Sequence, residues 1–403
     1  VESKANATSY VPKSKPRALL EVLAVSTKLG LTSFGGPIAH LGYFHEEYIR
    51  RRKWLDERSY ADLVALCQFL PGPASSQVGI GIGILRAGLW GGLTAWLGFT
   101  LPSVIFLVLF AFLLQGFDIS SAGWIHGLKL VAVAIVAQAV LGMGQKLSPD
   151  RNRATLVILA ASVTLLWQTA FTQALIILVS GIAGMLVYRS QAVAETPGLD
   201  VPVSRRFAVL CLSAFAGLLI LLPLLRQTVA ADGLALFDSF YRSGSLVFGG
   251  GHVVLPLLER EVVPAGWVSE ADFLAGYGIA QAVPGPLFTF AAYLGAVSHG
   301  AMGAMIATAA IFLPAFLLVA GALPFWNALR KSPKAQGALA GINAAVVGIL
   351  LAALYNPLWV TAVLSPADFA LASILFLLLV FWKLPPWIVV AAGAAGGTLL
   401  GFL

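Results

Sequence analysis

Gln68-Phe69-Leu70-Pro71-Gly72-Pro73 recurs 213 residues further on as Gln281-Ala282-Val283-Pro284-Gly285-Pro286. Each copy interrupts an apolar run, 60–86 in the first case and 271–298 in the second. Proline removes a backbone donor and glycine admits a left-handed turn, so a helix that meets Pro-Gly-Pro breaks there. Working outward, Phe34-Gly35-Gly36-Pro37 in run 18–44 matches Phe248-Gly249-Gly250-Gly251 in run 233–258, and Lys28 matches Arg242, both at an offset of 214. Trp54 matches Trp267, while Gly83, Gly88 and Gly91 match Gly295, Gly300 and Gly303. Gly127-x-Lys129 matches Gly341-x-Asn343. The order is kept and the offset drifts only between 212 and 214, which marks an internal repeat.

Composition gives the solvent of that repeat. Of 403 residues 59% are hydrophobic and 11% charged, against about 25% charge in a soluble domain. Such a chain cannot coat itself for water, nor is it disordered. The apolar runs are continuous and close to the twenty residues of a membrane helix, which excludes a barrel of short alternating strands. The fold class is an all-α polytopic membrane protein. Thirteen apolar segments are visible: 18–44, 60–86, 89–115, 121–142, 153–170, 172–189, 207–226, 233–258, 271–298, 301–325, 336–356, 366–382 and 385–403. About nine read as full spans and four as discontinuous. The organisation is a polar tail at 1–17, a first repeat at 18–189, a linker with an odd, inverting helix (207–226) across 190–232, and a second repeat at 233–403.

The net charge is +7. In a membrane chain this reads as basic cytoplasmic loops, with no need of a nucleic-acid partner. Loop 142–153, the linker and loop 326–336 each carry Lys or Arg and fall on one side if the odd helix inverts the second half. Loop 45–59 holds Arg50, Arg51, Arg52, Lys53 and Arg58, whereas its counterpart at 259–272 holds Arg260 among Glu259, Glu261, Glu270 and Asp272. Inverted halves with a cytoplasmic N-terminus fit this count, and re-entrant or discontinuous segments keep loop 45–59 inside. Two full crossings are the alternative. Cys67 and Cys211 form no metal spacing or disulfide framework. No cleavable signal is visible, and a start at Val1 rather than Met reads as a processed or trimmed chain.

A helix broken at bilayer depth frees backbone groups that hydrocarbon cannot satisfy, so such breaks line protein or a wet cavity. In inverted-repeat transporters freed helix N-termini point at anionic substrate. Candidate anion ligands are therefore Ser33, Phe34, Gly35, Gly36 and His40 at the first break, Gln68, Pro71, Gly72, Pro73, Ser75 and Ser76 at the second, and Phe248, Gly249, Gly250, Gly251 and His252 at the third. Gln281, Pro284, Gly285, Pro286 and Thr289 stand at the fourth. Lys28 and Arg242 would supply charge, with Lys129 and Asn343 as an asymmetric outer pair. Each has a blander reading: Gly and Pro kink helices for packing, Glu21 neutralises Lys28, and Gln68 and Gln281 cap backbone. Gly79, Gly83, Gly88 and Gly92 read as close packing. Neither a zinc-protease helix, a nucleophile elbow, a dinucleotide loop nor a phosphate-loop lysine occurs, so the chain does not read as an enzyme and no cofactor or metal is implied.

These motifs, over nearly the whole chain, resemble the chromate ion transporter family in its long, two-repeat form. The resemblance implies a bacterial inner-membrane protein that exports chromate and confers resistance, with sulfate as structural analogue. The partners implied are chromate, sulfate and the lipid bilayer; a homodimer stays open. A sulfate or broad oxyanion transporter and a passive anion channel are the rival readings. Gly251 stands where the first copy has Pro37, so the halves need not act alike.

Overall fold

The computed structural model describes residues 15–115, 123–167, 170–188, 201–229, 231–248, 251–329 and 331–402. Gly249, Gly250, most of the N-terminal tail and residues 190–200 of the linker lie outside these residues. The described chain is helical, with no strand among the described residues. Its first half runs α1 (Lys15–Thr32), α2 (Gly36–Phe44) with a π-helical turn (His45–Arg51), α3 (Glu57–Phe69), α4 (Ala74–Gln115), α5 (Gly123–Leu147), α6 (Arg151–Leu166) and α7 (Ala170–Val187). α8 (Arg205–Thr228) follows. The second half runs α9 (Asp232–Ser245), α10 (Val254–Val262), α11 (Glu270–Ala280), α12 (Phe290–Ala322), a short α13 (Trp326–Leu329), α14 (Pro333–Ala353), a short α15 (Val360–Ala362), α16 (Pro366–Val380) and α17 (Pro386–Leu400).

Local sequence explains the starts of these helices. Asp56 accepts from the Arg58 and Ser59 N–H groups to cap α3, and Ser269, its repeat partner, accepts from the Asp272 N–H to cap α11. Among the described residues, five helical stretches are long and apolar enough to cross a membrane: Ala74–Leu114, Gly123–Leu147, Arg205–Thr228, Leu287–Phe325 and Pro333–Ala362. Shorter apolar helices stand at Thr172–Val187, Pro366–Val380 and Pro386–Leu400. The protein is a polytopic membrane protein.

Two pairs of expected segments are fused. Runs 60–86 and 89–115 share α4, and 271–298 and 301–325 share α12. Each long helix breaks inside, at Ala87-Gly88 (φ 72° at Gly88) and at His299-Gly300 (φ 63° at Gly300). A straight helix would hold residues eight apart about 12 Å from each other. Instead a Cβ on Gly83 would collide with the Gly91 carbonyl, and one on Gly295 with the Gly303 carbonyl. α4 and α12 are therefore helical hairpins whose arms touch at glycine. Gly83 does pack closely, as expected. Gly88 does not: a Cβ there would meet nothing, and the residue makes the bend.

The halves are interlocked. α1 packs on α4, α9 on α12, and α4 on α12. Beyond them the central helices exchange partners: α5 of the first half packs on α16 and α17, and α14 of the second on α6 and α7. Small residues carry both contacts. A Cβ on Gly127 would strike the Gly393 carbonyl, and one on Gly341 the Ser180 carbonyl. With lipid on the outside no hydrophobic effect drives this association, so close approach of backbones supplies it.

Candidate functional site

The four breaks meet. The Gly72 N–H donates to the Val247 carbonyl at 2.6 Å, and the Gly285 N–H donates to the Ser33 carbonyl at 2.9 Å. Each Pro-Gly-Pro turn thus pairs with the residue just before the glycine break of the other half. A Cβ on Gly251 would stand 3.6 Å from Pro37 Cγ, so the two glycine breaks also touch. Ser103 Oγ, on the second arm of α4, donates to the Pro284 carbonyl at 2.5 Å. Two backbone N–H groups freed by the breaks are thus satisfied by carbonyls of the other half.

Side chains finish the turns. Gln77 Nε2 donates to the Pro71 carbonyl at 2.7 Å, and Thr289 Oγ1 to the Pro286 carbonyl at 2.7 Å. Gln68, a candidate anion ligand with backbone capping as its other reading, is exposed on α3, and the capping bond is made by Gln77. Thr289 is occupied by its own turn. Gly285 adopts φ 103°, and a Cβ there would run into Ser103 Oγ. Gly285→Ala is strained on both counts. We expect it to insert but lose at least 10-fold in transport, measured as flux per monodisperse protein.

One place keeps polar capacity in reserve. The N-termini of α2 and of α4 face each other: His40 Nδ1, in α2, lies 3.3 Å from Ser75 Oγ in the first turn of α4. The His40 ring also lies beside the Ser33 backbone and edge-on to Phe99, with centroids 5.4 Å apart. Ser33, His40 and Ser76 are all 1% exposed or less. Yet Ser33 Oγ, His40 Nε2 and Ser76 Oγ have no hydrogen-bond partner. Such a buried orphan costs about 1–3 kcal/mol, so three around two helix N-termini are an unusual concentration. Thr100 Oγ1 on α4 is a fourth buried orphan. An N-terminus offers free N–H groups and a partial positive charge. Together these donors suit an anion with several oxygens.

The equivalent surface of the second half is largely apolar; Thr289, the counterpart of Ser76, keeps a hydroxyl but donates it to the Pro286 carbonyl. Repeat offsets place Val247 at Ser33, Val254 at His40, Phe288 at Ser75 and Phe312 at Thr100. Phe288 and Phe312 touch there, with ring centroids 6.0 Å apart. Thr100 and Ser103 went unnoticed in the sequence, although this contrast between copies was visible in it. His252 follows the third break but is no counterpart of His40; its Nδ1 is 2.9 Å from the Tyr277 hydroxyl.

The expected charges lie elsewhere. Lys28 Nζ binds Glu47 Oε2 at 3.0 Å, and Arg242 Nη2 binds Glu261 Oε2 at 2.9 Å. Glu47 and Glu261 are themselves repeat equivalents, so the halves hold a matched ion pair. Arg242 also grips Asp238, with Nη2 to Oδ2 at 2.9 Å and Nε to Oδ1 at 3.2 Å. Glu21 pairs with Arg52 and Arg86 rather than with Lys28. Burial works against the Glu47 charge, but hydrogen bonds from Lys28 and Arg52 and their charges hold its carboxyl below the usual range. The surplus cation assigned to Lys28 and Arg242 is thereby consumed. Lys129 has no ion pair or hydrogen bond among the described residues, and Asn343 Oδ1 is a buried orphan. They stand on α5 and α14, which are not main packing partners of α2 or of α4. Gln281 Nε2 is likewise a buried orphan, at the C-terminal cap of α11. No group of three or more His, Cys, Asp or Glu able to hold a metal occurs among the described residues.

Comparison with known proteins adds an independent line. The family model described as "Chromate transporter" matches residues 20–185 and 234–398. The chain is 30% identical to a chromate transport protein of Pseudomonas aeruginosa, over 100% of this chain and 98% of that protein. It is 26% identical to a chromate transport protein of Cupriavidus metallidurans, over 94% and 92%. It is 28% identical to a probable chromate transport protein of Synechococcus elongatus, over 81% of each. No solved structure matches.

Proposed function

The chain belongs to the chromate transporter family, and from that premise we propose that it exports chromate from the bacterial cytoplasm through two inverted halves, giving chromate resistance. Chromate transport is the role its relatives support, and the protein is a transporter rather than an enzyme. The two matches of the family model, the paired breaks and the exchanged packing of α5 and α14 all favour two halves of one design. Inversion follows from the basic loop 45–59 facing an acidic counterpart at 259–272.

The observation that carries the site is the set of buried, unpartnered Ser33, His40 and Ser76 groups between the N-termini of α2 and α4. Chromate is a tetrahedral dianion, and there it would meet hydroxyl, imidazole and backbone donors. No lysine or arginine needs to touch it. That has a kinetic merit: a carrier must bind firmly enough to load and loosely enough to release. Two fixed cations would hold a dianion too tightly. Because the site leaves the substrate charge largely uncompensated, transport moves net charge. Each charge gains about 2.3 kcal/mol per 100 mV, so a dianion gains about 4.6 kcal/mol, or roughly a 2000-fold gradient. The membrane potential alone is then a sufficient drive.

Chromate counterflow in proteoliposomes at set potential and pH is the test. Saturable counterflow that accelerates with an interior-negative potential on efflux is expected. Flux that neither saturates nor shows trans-acceleration would make the protein a channel. Sulfate or molybdate moving faster than chromate would move the assignment to a broader oxyanion carrier.

A further inference from the structure

The two halves share a fold but not a conformation. In the second half α11 is sunk into the protein. Its face Leu274–Gly278–Gln281 lies on α5, so close that a Cβ on Gly278 would fall 2.7 Å from the Leu128 carbonyl oxygen. Leu274 is fully buried and Leu128 is 1% exposed. The repeat equivalents of that face on α3 are Ala61, Ala65 and Gln68, and all three are exposed. The equivalent of Leu128 is Ile342 on α14, which is only half-buried, as are its neighbours Ala335, Ala338, Leu339 and Asn343. α11 is a main packing partner of α5, but α3 is not one of α14.

The bare face of α3 does not have the character of a lipid contact. Lipid-facing positions of α4 carry Leu101, Ile105, Phe106 and Leu109, all well exposed. The α3 face instead offers two alanines and an amide, which is the composition of a surface that closes on another helix. On α14, Asn343 Oδ1 is buried without a partner. One half therefore shows the docked arrangement, while in the other the α3 face is bare and Ile342, half-buried, rests against Gly181 of α7 instead.

We propose that the face Ala61–Ala65–Gln68 of α3 docks on α14 at Ile342 and Asn343 during each transport cycle, as α11 does here on α5. In that second state the roles are exchanged: α11 leaves α5, and Gln281 rather than Gln68 is exposed. The interlocked α5, α14, α16, α17, α6 and α7 stay as the frame against which the broken segments move. Ala65 carries one methyl more than Gly278, so α3 seats slightly further out than α11. Gln68 reaches Asn343 Oδ1 with its amide N–H. This deepens the transport reading, since it supplies the motion that opens the seat between α2 and α4 to one side and then the other.

Cysteine pairs test it. Ala65→Cys with Ile342→Cys, in a full-length chain whose Cys67 and Cys211 are replaced by alanine, is reconstituted and oxidised. A reducible intramolecular crosslink that stops transport, and whose reduction restores it, is expected. Both cysteines reacting fully with N-ethylmaleimide, with no crosslink under turnover and transport near wild type, overturns the docking. Ala65→Trp is the second arm, at an exposed position where folding is tolerant. It should lower flux at least 10-fold while chromate binding is retained, and unchanged flux overturns the proposal. A crosslink in protein that moves no chromate upholds the docking and sinks the substrate reading, so the two failures are distinguishable.

Discussion

Arg242→Ala is expected to leave little folded protein in the membrane. The guanidinium is bound to both oxygens of Asp238, which is 1% exposed, and to Glu261, which is 13% exposed. Its removal strands Glu261 and leaves Asp238 with Arg226 alone, at 3.4 Å. Breaking a buried ion pair costs about 3–5 kcal/mol. That is a large part of the 5–15 kcal/mol on which a typical fold stands. Monodisperse yield in detergent and thermal melting read the loss directly. Lys28→Ala at the matching position should be mild, because Lys28 is 51% exposed and Glu47 keeps Arg51 and Arg52 beside it. Arg242→Ala that melts like wild type but moves no chromate would restore Arg242 as a ligand. Sequence spacing had pointed to that role, with Lys28 and Arg242 as the charges of the anion site.

His40→Leu carries the second large effect, and it concerns transport rather than folding. His40 is 1% exposed and touches Ser75, the Ser33 backbone and Phe99. Leucine fills similar space without a donor. The protein loses no ion pair; the unpartnered Nε2 disappears while Ser75 Oγ loses its 3.3 Å partner, two buried-polar effects of opposite sign, so stability should change little. A hydrogen bond to a charged group is worth about 1.5–3 kcal/mol. Chromate flux should therefore fall about 10- to 150-fold at unchanged insertion. Ser76→Ala should fall within the same range, and a double-mutant cycle with His40→Leu should show coupling, as for groups that bind one ion. Wild-type flux in well-folded His40→Leu would remove the seat from between α2 and α4.

The four breaks were legible because Pro-Gly-Pro and Phe-Gly-Gly leave a helix no way to continue, and because each occurs twice. Their convergence was not, since the hydrogen bonds from Gly72 to Val247 and from Gly285 to Ser33 cross from one half to the other. The hairpin bends were missed for a local reason. Gly88 stands in a row of small residues, and nothing in composition separates a glycine that packs from one that takes positive φ. The charges misled because partners were sought within the same apolar segment. Glu47 belongs to a loop that counts as basic, and only its match with Glu261 betrays the pairing. The polar seat was half legible: Ser33, His40, Ser75 and Ser76 adjoin the motifs, while Thr100 and Ser103 stand far along α4.

The exchange of partners between α5 and α14 sets a timetable for biogenesis. α5 is complete at Leu147, but the helix that covers its glycine face ends at Leu400. At ribosomal speeds of about 5–20 residues per second, those roughly 250 residues take about 12–50 s to emerge. For that interval Gly123 and Gly127 face lipid or the insertion machinery with no mate. The nascent chain therefore carries an unmated glycine face on α5 until α17 has been made.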